Sequence, residues 1–149
     1  MKSYDVWAKL DEHFSEFPQA RGKGVTDSQI QIAEEQLKVV FSESYKAFLH
    51  LYGGGCVSSL DVYGLSKAEI MAPKLFSVTQ NTNFYKKEQE WPDISDWYII
   101  SEDGRGNPIG CKFDGSVWVS DHDSGFEQVK LAHNFEEFLE KLLDNRLYE

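Results

Sequence analysis

Apolar side chains recur along this chain at three- to four-residue intervals in some stretches and at two-residue intervals in others, and the switches between them delimit its elements. Residues 3–17 put Val6, Trp7, Leu10, Phe14 and Phe17 on one side and Lys9, Asp11, Glu12 and Glu16 on the other, a helix that Pro18 ends. The polar, glycine-rich connector from Gln19 to Gly24 reads as a mobile loop. A phosphate cradle is disfavoured there, because no strand precedes it and no Lys-Ser/Thr pair follows. Thr26, with Gln29 three residues on, has capping-box spacing, and Asp27 and Ser28 are rival caps. Ile30, Ala33, Leu37 and Val40 then share a face. The period breaks at Phe41-Ser42-Glu43-Ser44, restarts with Tyr45, Phe48, Leu49 and Tyr52, and stops at Gly53-Gly54-Gly55. This segment predicts a helical hairpin.

Val57 to Leu65 reads as a strand, followed by a short turn over Lys67 to Met71 that Ser66 can cap. An amphipathic helix of mixed quality spans Leu75 to Glu90, and Trp91-Pro92-Asp93 breaks it. The next stretch has the two-residue period. Trp97 to Ser101, Pro108 to Phe113, Ser116 to Ser120 and Gln128 to Ala132 are strands, separated by turns at Asp103–Asn107, Asp114-Gly115 and Asp121–Gly125. Strands joined by such short turns pair antiparallel. Asn134 caps a last helix with Phe135, Phe138, Leu139, Leu142 and Leu143 on its buried stripe. The expected fold class is therefore α+β: one domain over residues 1–149, with a helical hairpin, an antiparallel meander, and helices at the N- and C-terminal ends.

Composition sharpens this picture. With 149 residues, 41% hydrophobic and 14% aromatic, the chain fills one core and has rings left over for a surface. Its 25 acidic against 15 basic side chains give a net charge of −10, a field that repels phosphate backbones and attracts basic partners. Direct nucleic-acid binding is disfavoured. Cys56 and Cys111 stand far apart without metal-ligand spacing, which fits two reduced thiols. No long apolar run and no leader-like N-terminus is present, so a cytoplasmic, membrane-free protein is expected.

Candidate chemistry is sparse. Asp121-His122-Asp123 could ligate a cation or exchange protons, but on a strand only Asp121 and Asp123 would converge, and an Asx turn is the simpler account. The calcium-loop spacing fails for want of a distal Glu. His13, His50 and His133 share no motif with a Cys, a Ser or a second His. No catalytic site, cofactor or metal is expected. Trp91, Trp97 and Trp118 with Asp93, Asp103, Asp121 and Asp123 instead suggest a recognition surface, with rings as anchors and carboxylates steering a basic partner.

Glu34, Leu37, Phe41, Tyr45, Phe48, Leu49 and Gly53-Gly54 resemble the SUKH, or Smi/Knr-type, superfamily, whose members show a capped helix with a Glu, a Leu-Pro-x-x-Tyr-x-x-Phe-Leu helix, and Asn-Gly-Gly. Ser42 stands where that family usually has Pro, and Lys38 where it often has Gly. The resemblance continues through Leu60–Leu65, Asp103–Gly110, Gly115–Val119, Asp121–Asp123 and the helix of Phe135, Phe138 and Leu139. It implies a non-catalytic binding module. Bacterial relatives act as immunity proteins against polymorphic toxins, often nucleases, and eukaryotic ones as regulators or scaffolds. The expected partner is a basic toxin domain, the alternatives being a regulatory interaction protein or a small enzyme.

Overall fold

The computed structural model describes residues 5–148. The predicted start of the first helix, at residues 3 and 4, lies outside them. Helix α1 (Val6–Glu16) is capped by Asp5, whose carboxylate accepts the Ala8 N–H at 3.2 Å. It buries Val6, Leu10 and Phe14. Phe17 falls just past the helix end, leaves the apolar register and is exposed rather than buried. The Gln19–Gly24 connector is not the mobile loop expected. Gly22 N–H donates to Gly54 O at 2.8 Å and Lys23 N–H to the Ser66 hydroxyl at 2.9 Å. Ser66 is thus spent on that connector instead of capping a turn.

Helix α2 (Asp27–Leu37) opens with the predicted capping box on Thr26: Gln29 N–H donates to Thr26 Oγ1 at 3.2 Å, and Thr26 N–H to Gln29 Oε1 at 2.9 Å. Ile30, Ala33 and Leu37 are buried, but α2 stops before Val40, which is 75% exposed. The chain turns at Lys38, in the left-handed region at φ 59°. Glu34 then bridges the turn, its Oε2 accepting the Phe41 N–H at 2.8 Å. Ser42 caps α3 (Glu43–Leu51) by accepting the Tyr45 N–H at 3.3 Å. Past α3, Gly53 sits at φ 72°, and a Cβ there would lie 1.8 Å from Lys23 O, so only glycine allows this close approach.

The strand expected over 57–65 is instead a tight hairpin, β1 (Gly55–Val57) and β2 (Leu60–Val62), turning at Ser58 with φ 58°. The turn carries no Gly or Pro, so the apolar pattern runs straight through it; the Ser58 hydroxyl ties it to the last helix of the chain by donating to Leu142 O at 2.7 Å. Helix α4 (Val78–Asn83) begins at a second capping box, on Ser77, and continues as wider π turns over Phe84–Glu88. Leu75, expected inside this helix, has φ 54° and stays outside it.

Strands β3 (Tyr98–Glu102), β4 (Pro108–Cys111), β5 (Val117–Asp121) and β6 (Glu127–Ala132) follow, then α5 (Phe135–Leu143). All six strands form one antiparallel sheet in sequence order β1-β2-β3-β4-β5-β6. The α+β meander is as expected. Tyr98, Cys111, Val117 and Ala132 are in register across four strands and face the helices. There the Tyr98 ring meets Phe41 at 4.8 Å and Tyr45 at 5.4 Å, while Phe135 of α5 meets Tyr45 at 5.1 Å and Phe48 at 5.3 Å. Burying such rings removes apolar area from water at about 25 cal/mol per Å². The adjacent register, Ile99, Gly110, Trp118 and Lys130, faces the other way. Trp97 covers Gly110 so closely that a Cβ there would lie 2.6 Å from the ring, and Thr82 of α4 accepts the Ile99 N–H at 2.8 Å. No helix among the described residues is long and apolar enough to cross a membrane.

Candidate functional site

Two loops at one end of the sheet are held by a buried polar cluster. Asp103 is 4% exposed and Asn107 0%. The Asp103 carboxylate accepts the Arg105 and Asn107 N–H groups at 2.8 and 2.9 Å, and the Asn107 side-chain amide at 2.9 Å. Asn107 Oδ1 in turn accepts the His122 N–H at 3.0 Å and faces His122 Nδ1, which joins the β3–β4 loop to the β5–β6 turn. Asp103, expected on a recognition surface, therefore lies beneath it. A buried carboxylate must be satisfied by donors, and this one is.

Asp121 accepts the Asp123 N–H at 2.9 Å and the Ser124 hydroxyl at 3.2 Å, the Asx turn anticipated. The chain leaves the strand at Asp121 for a short 3₁₀ turn, so His122 does not point away from its neighbours as a continued strand would require. Ligand atoms of Asp121, His122 and Asp123 lie within 4.8 Å of one another. Both Asp121 oxygens already accept bonds that close the turn, and His122 Nδ1 faces Asn107. The arrangement acts as a loop clamp.

Above it, Trp91 donates its indole N–H to the buried Ser120 hydroxyl at 2.8 Å and packs edge-to-face with Tyr85, His122 and Phe126 at 5.3, 5.9 and 5.2 Å. A groove of about 420 Å³ runs between Glu90, Trp91, His122 and Phe126. Trp118, half-buried on the same sheet face as Ser120, donates to the Ser116 hydroxyl at 2.8 Å and lies under Lys112, whose Nζ is 4.0 Å from the ring centre. Asp93 is exposed, with its carbonyl accepting from Gln128 at 2.7 Å. Trp97 is 0% exposed, so it is core and leaves the proposed surface. Of the predicted set, the structure gathers Trp91, Asp121 and Asp123 around His122 and Phe126, places Trp118 and Asp93 nearby, and buries Trp97 and Asp103.

A second surface escaped the sequence pattern. The groove between the end of α2, its following turn and the β4–β5 hairpin encloses about 550 Å³, lined by Glu34, Glu35, Val40, Asp96 and Phe113. Phe113 was expected at the end of a strand. Strand β4 ends at Cys111, however, and Phe113-Asp114-Gly115 forms a three-residue loop with Gly115 at φ 87°, which leaves Phe113 84% exposed. Asp114 clamps the loop by accepting the Ser116 N–H at 3.0 Å. Bonds donated by the Ser116 hydroxyl, at 2.5 Å, and by its N–H hold the Asp114 carboxyl below the usual carboxylate range.

The chain matches the SMI1 / KNR4 family (SUKH-1) over residues 24–141. It belongs to that SUKH-1 family. Comparison with curated proteins gives no match. Within this SUKH-1 domain the motif residues acquire physical roles. Glu34 closes the helical hairpin through Phe41, and Lys38 occupies a left-handed position that glycine adopts at lower cost. Ser42, at φ −65°, has the backbone a proline would need, yet its N–H donates to Tyr98 OH at 3.0 Å, a bond proline cannot make.

Burial, aided by the Asp61 charge, pushes the Cys56 thiol up to about 11, and burial pushes Cys111 up to about 12, so both remain protonated at neutral pH. Both cysteines are free thiols. His13 faces Cys56 O at 3.2 Å and His50 contacts Val25 O and Asp27 at 3.2 and 2.8 Å.

Proposed function

We propose that this SUKH-1 domain is a protein-binding module without catalysis of its own, and that it serves in the cytoplasm as an immunity protein against a basic, nucleic-acid-cleaving toxin. The observation that carries this is the charge: 25 acidic against 15 basic side chains present a negative field where such a toxin accepts phosphate. Exposed Asp93, Asp96 and Asp123, with half-buried Asp121, lie in or beside the two grooves and steer association. The thiols held protonated, and His13, His50 and His122 engaged by backbone and turn contacts, support binding without turnover. The test is co-expression with the product of the adjacent gene. Protection of the host, together with a complex that survives gel filtration, is expected. A toxic neighbour left unchecked by this chain overturns the immunity reading, and the absence of any toxin gene shifts it to regulation or scaffolding.

A further inference from the structure

We propose that the groove between Val40 and Phe113 is where the partner docks, and that its occupant is a protein loop carrying a Lys or Arg beside an apolar side chain. The inference rests on the protein-binding reading above and names its surface. Val40, 75% exposed, and Phe113, 84% exposed, are the two most exposed large apolar side chains among the described residues, and both line this one groove. Neither is used by the core. Their projection suits insertion into a partner rather than enclosure of a small molecule.

Charge selects the partner's chemistry. Glu34, Glu35 and Asp96 line the groove against Lys38 as its cation. A second copy of this chain would bring another −10 and meet carboxylates with carboxylates. A basic loop meets complementary charge. The walls are also fixed before binding: Val39 N–H donates to Glu34 O at 3.1 Å, Phe41 N–H to Glu34 Oε2 at 2.8 Å, and Ser42 N–H to Tyr98 OH at 3.0 Å. Docking onto ordered backbone avoids much of the entropy cost of ordering a loop.

The experiment is an amide-resolved NMR titration of the whole chain with a short peptide alternating Arg and Leu, and with a Glu-Leu peptide as control. Shifts concentrated at Val39, Val40, Asp96 and Phe113 are expected, with affinity lost by about tenfold or more in the Val40→Ser, Phe113→Ser double variant at an unchanged melting midpoint. Shifts centred on Trp91 and Phe126 instead would overturn the groove while leaving a basic partner in place. Binding of the Glu-Leu peptide as strongly as the Arg-Leu one would overturn the charge argument. No binding of either peptide would overturn both this proposal and the basic-partner reading.

Discussion

The Trp91 groove and the Val40–Phe113 groove are built from similar residue types and differ in whether those residues are already spent. Around Trp91 the indole N–H is taken by Ser120, the ring is edge-packed on three sides, and His122 below it is tied to Asn107. Around Phe113 and Val40 the backbone is fixed, but the apolar side chains stand in solvent. An aromatic ring beside carboxylates is thus not by itself an interface. What distinguishes a binding surface is apolar area that the fold orders without consuming.

That contrast predicts stability losses at one groove and none at the other. The largest is expected for Asn107→Ala, which strips the buried Asp103 carboxylate of its amide donor and leaves the His122 N–H without an acceptor. A cost of about 3 kcal/mol should appear in chemical denaturation, and a variant as stable as wild type would show that the loops hold without the cluster. Trp91→Ala should cost about 2 kcal/mol, since it removes a half-buried ring and orphans the Ser120 hydroxyl. On the other groove, Lys38→Gly should stabilise the fold by about 1 kcal/mol by relieving the left-handed backbone, read as a raised melting midpoint. A lowered midpoint would mean that Lys38 makes a side-chain contribution larger than its backbone strain. Smallest of all, Phe113→Ser should change stability by no more than about 0.5 kcal/mol.

Local signals with a chemical cause were legible in the sequence. The Thr26–Gln29 box and the Asx turn at Asp121 depend on atoms a few residues apart, and each forms where its spacing indicated. The antiparallel order followed from short turns alone. The misreadings share another cause, a boundary set by long-range contacts. Ser58 turns without glycine because α5 holds its hydroxyl, and Val40 and Phe113 lie three and two residues beyond element ends that periodicity extended too far. Trp97 and Asp103 have the composition of a surface, and only the packing over Gly110 and the bonds to Asn107 reveal them as interior.

The most direct test compares dissociation of wild type, Phe113→Ser and the ring-retaining Trp91→Phe from the purified product of the adjacent gene. Phe113→Ser is expected to dissociate about tenfold faster or more at an unchanged melting midpoint, with Trp91→Phe indistinguishable from wild type. Faster release by Trp91→Phe, with Phe113→Ser holding on like wild type, would contradict the account.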